Sequence, residues 1–128
     1  MPAEPRPFTY AVLRVVPCVE RGEQLNAGVV LYCRQLDFLE LKINLDPAKL
    51  AALAPDADPE AIGQRLEEIR GVIEGDRARG ALAEMDASDR FGWLVAPSST
   101  VIQTSEAHTG LTADPAAELD RLFKSLVL

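Results

Sequence analysis

Cysteine and histidine are scarce in this chain of 128 residues. It has two cysteines, Cys18 and Cys33, and one histidine, His108. A structural zinc site needs four ligands, which two distant cysteines and one histidine do not supply. Acidic residues are spread along the chain, which does not suggest a carboxylate site for two metals either, so we expect no metal site. Both thiols have apolar flanks, so we expect them to be reduced and largely buried, although the sequence leaves a disulfide between them open.

Long apolar runs and an excess of positive charge are also missing. No run approaches the roughly 20 residues of a membrane-spanning helix, and the first ten residues have no apolar signal-peptide core. We therefore expect a cytoplasmic protein without membrane contact. The chain has 13 Lys and Arg residues against 20 Asp and Glu residues, a net charge of −7. This balance argues against a general affinity for nucleic-acid phosphates.

The apolar and charged contents, 48% and 26%, are those of an ordinary globular protein. We expect residues 1–128 to form a single domain, with residues 1–7, which contain three prolines, as a loose lead-in. The Gly-rich phosphate-binding motifs G-x-x-x-x-G-K-[ST] and G-x-G-x-x-G are absent from the sequence. We therefore expect no cofactor.

Alternating patterns predict three β-strands in the first 45 residues. Residues 8–16 and 27–34 are apolar on both alternating sets, which is typical of a strand covered on at least one face. The polar loop between them favours antiparallel pairing. Residues 38–45 alternate between apolar and polar side chains, which predicts a third strand with one face in solvent, joined by a short turn.

Three helices are predicted by one recurring N-terminal pattern. In Asp46-Pro47, Asp58-Pro59 and Asp114-Pro115, a capping carboxylate precedes a proline that has no N–H to leave unpaired. The helices are expected over residues 47–54, 59–74 and 115–127. Residues 77–86 are predicted as a helical turn or loop, 91–95 as strand or extended loop, and 101–104 as a strand. The fold class is α+β: an antiparallel sheet of three to five strands with two main helices packed on one face.

Polar side chains that this fold does not require gather in two segments, residues 14–26 and 88–110. In the first, Arg14 shares a strand face with apolar residues, so it must reach water, meet a carboxylate or bind a ligand anion. Arg21, Glu23 and Asn26 follow around a glycine. They fit an ordinary hairpin connection, which we favour, or a group that orients a polar substrate.

The second segment contains Arg90, Ser98, Ser99, Gln103 and His108. Hydroxyl groups beside an arginine suit a phosphate or carboxylate, and an imidazole is a common general acid or base. A Ser–His–acid hydrolytic centre is disfavoured because the sequence has no G-x-S-x-G elbow. We favour a hydrogen-bonded or solvent-facing histidine beside a turn at Gly110.

Four stretches together resemble a known family. They are YAVLRVVP at residues 10–17, RGE with NAGV at residues 21–29, DRFGWLVAPSST at residues 89–100, and Gln103 with HTGL at residues 108–111. The chain is similar over nearly its whole length to the bacterial domain of unknown function 3037 family. That family has no established activity. Its genes often lie beside one for a HipA-like kinase, so the resemblance implies an accessory role with such a kinase as partner.

The resemblance also places the family's polar positions on the candidate site residues, which are Arg14, Arg21, Glu23, Asn26, Arg90, Ser98, Ser99, Gln103 and His108. The leading hypothesis is a small binding domain that uses them to engage a partner protein, such as a HipA-like kinase, or an anionic small ligand. The second is a small hydrolase or phosphate-handling enzyme with Glu23 or His108 as general base. The third is a self-associating structural domain, a homodimer formed through the edge of the third strand.

Overall fold

The structure is a computed structural model that describes residues 4–128. Over this range the strands are β1 (Arg6–Val15), β2 (Leu25–Cys33), β3 (Phe38–Ile43), β4 (Ile102–Thr104) and β5 (His108–Thr112). The helices are α1 (Pro47–Leu53), α2 (Pro59–Ile73), α3 (Ala81–Glu84), α4 (Ala87–Val95) and α5 (Pro115–Leu126). The fold is α+β, as predicted. Residues 1–3 of the expected lead-in lie outside the described residues, and β1 begins two residues before the predicted strand. The single-domain organisation stays a prediction.

All strand pairs of the sheet are antiparallel, which confirms the predicted meander of the first three strands. The order is β3-β2-β1-β4, and β5 also pairs with β1. The short strands β4 and β5 share one side of β1, since β4 pairs with Leu13–Val15 and β5 with Arg6–Tyr10. Strand β1 is therefore the centre of the sheet and the strand on which the two polar segments meet.

The two main helices cover opposite faces of the sheet, which differs from the predicted packing on one face. Leu66 and Ile73 of α2 pack in a buried cluster with Leu13 of β1. Leu119 and Leu122 of α5 belong to a second cluster on the other face, where the strands contribute residues such as Phe8, Val29 and Leu31. The physical reason is in the sequence: β1 and β2 are apolar on both alternating sets, so each face needs a cover.

The predicted solvent face of β3 is partly covered, although Glu40 on this face is exposed as predicted. Phe38 packs against the α5 cluster, and the Lys42 ammonium donates to the Asp120 carboxylate of α5 at 2.9 Å. An amphipathic lysine suits this position because its stem covers apolar surface while its charge reaches a carboxylate at the rim. The alternating pattern of β3 therefore marks a partly covered face, not an open one.

The three Asp-Pro pairs cap helices as predicted. The side chains of Asp46, Asp58 and Asp114 accept backbone N–H groups of the first turns of α1, α2 and α5 at 2.9–3.1 Å. Each such cap contributes about 1 kcal/mol. The bounds of these helices agree with the predicted ranges to within about one residue.

Two segments differ from their sequence-based assignments. Residues 91–95 belong to helix α4, which begins at Ala87 behind an Asp86 cap and buries Phe91 and Leu94. A pattern examined only from residue 91 is too short to show this helical spacing. The expected turn at Gly110 is part of strand β5. A Cβ on Gly110 would lie 2.7 Å from the Phe8 ring. The lack of a side chain at this position therefore lets the Phe8 ring pack closely against β5.

The cysteines are both free, but only Cys33 is buried. Cys18 is exposed, contrary to the expectation that both are largely buried, because it lies in the loop after β1 rather than in a strand. Within the described part of the chain, no helix combines the length and apolar character needed to cross a membrane.

Candidate functional site

Parts of the two polar segments predicted to carry function meet on β1 and its neighbouring strands. Arg14 is opposite Asn26 of β2 on one side and opposite Gln103 of β4 on the other. Further along the same strand, Tyr10 is opposite His108 of β5. Since directly opposed residues of antiparallel strands share a face, these side chains lie on the face covered by α5.

Arg14, Asn26 and Gln103 form a polar row across three neighbouring strands, which we call the Arg14 row. The Asn26 Nδ2 donates to the carbonyl oxygen of Leu126 in the last turn of α5 at 3.0 Å. The Gln103 Nε2 donates to the carbonyl oxygen of Thr100 at 2.9 Å. One N–H of each carboxamide thus holds the side chain in place, and each amide nitrogen keeps a second N–H.

Arg14 is the one charged member of the row. Among residues 4–128, no carboxylate lies within 4.0 Å of its guanidinium. Its Nε is buried and has no hydrogen-bond acceptor in that range. The neighbouring Val12 and Val16 are buried, so little water shields the inner part of this side chain. A guanidinium group held in such surroundings would be stabilised by binding an anion.

His108 lies apart from the row, opposite Tyr10 and therefore four positions along β1 from Arg14. It is exposed, and its ring lies 5.3 Å from the Tyr10 ring, centroid to centroid. Over the described range it makes no hydrogen bond to Ser98, Ser99 or Glu23. A nucleophile and its base act within hydrogen-bond reach of each other, so these residues do not form an assembled hydrolytic centre.

Arg21 and Glu23 lie apart from the row, in the loop between β1 and β2. The Arg21 Nε donates to the Glu23 carboxylate, and this hydrogen bond raises the pKa of the Arg21 guanidinium above its ordinary value. Both residues line a cavity of about 580 Å³ with Cys18 and the segment between α1 and α2. Because Glu23 is held by Arg21, a role as general base would require that ion pair to open.

Arg90 is on the other side of the fold, where α2 ends. Its Nη1 lies 3.5 Å from the carbonyl oxygen of Ala83, and a Cβ on Gly75 would lie 2.7 Å from the same nitrogen. Arg90 and Arg14, which the sequence analysis placed in one candidate site, therefore do not lie together in the structure. The two arginines are anchored on different elements against opposite faces of the sheet.

Ser98 and Ser99 are exposed in the connection between α4 and β4. The Ser98 Oγ lies 2.9 Å from the Thr100 Oγ1, and the Thr100 carbonyl accepts from Gln103, so Ser98 reaches the row indirectly. Thr100 and Tyr10 contact candidate residues but were not among the candidates. Their signals in the sequence are the position of Thr100 just before β4 and the spacing of Tyr10 four residues before Arg14 on one strand face.

The described residues include no group of three or more His, Cys, Asp or Glu side chains placed to hold a metal ion.

A family model described as "Protein of unknown function (DUF3037)" matches residues 10–127, nearly the whole chain. This match confirms the resemblance and spans both polar segments. No curated protein and no solved structure matches the chain.

Proposed function

The chain belongs to the DUF3037 family, whose description assigns no function, and we propose that it is a small binding domain whose Arg14 engages an anionic group of a partner protein. The observation that carries this proposal is the absence of any counter-charge within 4.0 Å of Arg14 among the described residues. A partner's carboxylate or phosphate would supply that charge.

The neighbours of Arg14 support the same function. Asn26 and Gln103 flank it on adjacent strands and offer amide N–H donors beside the guanidinium. A fork of charged donors with neutral donors on either side matches the several oxygens of one carboxylate or phosphate. The row lies next to the last turn of α5, so a partner that reaches Arg14 would also meet the end of this helix.

A HipA-like kinase is the first partner to test, because the family resemblance implies one. Wild-type protein and Arg14→Gln would be titrated against a purified HipA-like kinase from the same genome. Arg34→Gln is the matched control, since Arg34 is exposed and makes no ion pair within residues 4–128. We expect micromolar or tighter binding that Arg14→Gln weakens by about tenfold or more and the control leaves unchanged.

Two outcomes would overturn the proposal in different parts. Failure of the wild-type protein to bind at micromolar concentration removes the kinase as partner. Equal binding by the wild type and Arg14→Gln removes Arg14 from the interface.

A small-molecule enzyme is a second candidate because Glu23 lines the cavity of about 580 Å³, a volume in the range of small-ligand sites. It predicts a turnover that Glu23→Gln or His108→Ala abolishes while the fold survives. Unchanged turnover in both variants would contradict it.

Self-association through β3, an end strand in the described sheet order, is tested by light scattering over a range of concentrations.

A further inference from the structure

A second polar cavity lies where α2 ends, on the side of the sheet away from α5. Its volume is about 420 Å³, and it is lined by Gly75, Arg77, Ala83, Glu84 and Arg90. These residues come from the end of α2, the 3-10 turn Arg77–Arg79, α3 and α4. From its geometry and charge we propose that this cavity binds a small phosphate-bearing anion between Arg77 and Arg90.

The charges of the lining favour an anion. Two guanidinium groups face one carboxylate, that of Glu84, so the lining carries a net positive charge in an acidic protein. Within residues 4–128 none of these three side chains forms an ion pair within 4.0 Å. Two arginines that share a cavity with a single carboxylate leave one positive charge uncompensated, and an anion between them would compensate it.

The donors of Arg90 are poorly satisfied by the protein. Its Nε is buried and has no acceptor among residues 4–128, and the contact of its Nη1 with the Ala83 carbonyl, at 3.5 Å, is longer than an ordinary N–H···O hydrogen bond. A buried N–H without an acceptor is unfavourable, so its retention here has to be explained. An anion in the cavity would supply acceptors to those guanidinium N–H groups of Arg90 that line it.

Gly75 makes room for the guanidinium at this position. A Cβ on Gly75 would lie 2.7 Å from the Arg90 Nη1, and the residue has φ +75°, a conformation that favours glycine. The backbone therefore lets Arg90 approach the end of α2 closely, beside Arg77. The loop and α4 together hold two guanidinium groups at the rim of one cavity.

The composition of the lining selects the class of ligand. The lining residues include no aromatic and no large aliphatic side chain that would hold an apolar ligand body. Guanidinium groups bind phosphate through two parallel N–H···O bonds, and a phosphate dianion compensates two arginines better than a single carboxylate does. A small phosphate compound therefore fits this cavity better than a carboxylic acid or an apolar ligand.

The test uses inorganic phosphate as the probe, with glycerol phosphate, acetate and chloride as separate arms at constant ionic strength. Binding to the full chain would be followed by calorimetry and by amide chemical shifts. We expect saturable phosphate binding, shifts centred on residues 75–90, and weaker binding of acetate. Tighter binding of glycerol phosphate than of inorganic phosphate would identify a phosphoryl group on a larger molecule as the natural ligand, and the reverse order would identify free phosphate.

Variants make the result specific to this cavity. Arg77→Gln and Arg90→Gln should each weaken phosphate binding by about tenfold, and Glu84→Gln should strengthen it because a competing carboxylate is lost. Arg34→Gln, the charge-matched control, and Arg14→Gln should bind like the wild type. The last comparison separates this proposal from the partner site.

The proposal is overturned if the wild type shows no saturable phosphate binding or if Arg77→Gln and Arg90→Gln bind like the wild type. It is also overturned if Glu84→Gln binds more weakly. Should Arg90→Gln fail to fold, Arg77→Gln decides the question, since Arg77 is exposed and its loss leaves the core intact.

Discussion

The backbone N–H of Val12 donates a hydrogen bond to the Ser105 Oγ at 2.9 Å, and the Ser105 N–H donates to the Val12 carbonyl oxygen at 2.8 Å. Ser105 lies between β4 and β5, so its hydroxyl takes the place of a backbone acceptor where the two short strands meet. This exchange fixes β4 and β5 along β1. It thereby sets Gln103 opposite Arg14 and His108 opposite Tyr10.

The first prediction is that Ser105→Ala lowers the free energy of unfolding by about 1–3 kcal/mol, because the buried Val12 N–H loses its acceptor. Urea denaturation followed by circular dichroism measures the change. Ser99→Ala is the matched control, since Ser99 is exposed and lies in the same segment of the chain. Equal stability of the two variants would show that the Ser105 hydroxyl does not hold the strands together.

Gly75 and Gly63 make opposite predictions for the same substitution. Gly75→Ala should lower the free energy of unfolding by at least about 1 kcal/mol, because φ is +75° and the new Cβ would lie 2.7 Å from the Arg90 Nη1. Gly63 lies within α2, and nothing lies within 4 Å of a Cβ built there. Gly63→Ala should therefore raise the free energy of unfolding by about 0.5–1 kcal/mol. Thermal and urea denaturation of both variants measure these changes. A change of the same sign in the free energy of unfolding of both variants would contradict the explanation from backbone conformation and local space.

We expect Arg14 to contribute to binding of the partner but not to the stability of the fold. Arg14→Met keeps a long apolar stem and removes the buried Nε donor, so we expect the free energy of unfolding to stay unchanged or rise by up to about 1 kcal/mol. Binding of the partner should be lost in the same variant. Urea denaturation tests the first part. A loss of more than about 1 kcal/mol would assign Arg14 a structural role instead.

Asp120 provides a prediction about pH. Lys124 donates to its carboxylate within α5, and Lys42 of β3 donates to it as well, both at 2.9 Å. These hydrogen bonds, that of Lys124 first, lower the pKa of Asp120 below its ordinary value. A carboxylate whose pKa is lowered by folding adds stability above the ordinary pKa of about 3.9, and this stability is lost as the pH falls through the lower folded-state value.

The difference in stability between the wild type and Asp120→Asn should therefore be present at neutral pH and disappear in acid. Carboxyl NMR titration should show the pKa of Asp120 moving up toward its ordinary value in Lys124→Gln and in Lys42→Gln. Lys49→Gln, at an exposed lysine on α1 outside this cluster, is the control. An unchanged Asp120 titration in both test variants would contradict the assignment.

Much of this fold is encoded by interactions between residues close in the chain. An aspartate followed by a proline caps α1, α2 and α5 because the carboxylate accepts N–H groups only two or three residues away. Alternation of side chains likewise predicts β1, β2 and β3. The apolar character of both faces of β1 and β2 fits two covering layers, yet the sequence pattern predicted both main helices on one face, and only the structure shows that α2 and α5 take one face each.

The candidate site depends instead on contacts between distant parts of the chain. Arg14 and Gln103 become neighbours only because β4 pairs with β1, and the hydrogen bonds between Val12 and Ser105 extend that pairing by one position. Arg90 looks equivalent to Arg14 in the sequence, yet α4 places it at the end of α2, beside Gly75. Composition and local pattern thus determined which polar residues the strands and helices present. Only the tertiary structure decided which of them meet, because strand register and helix packing are set by long-range hydrogen bonds and burial that no short window of sequence contains.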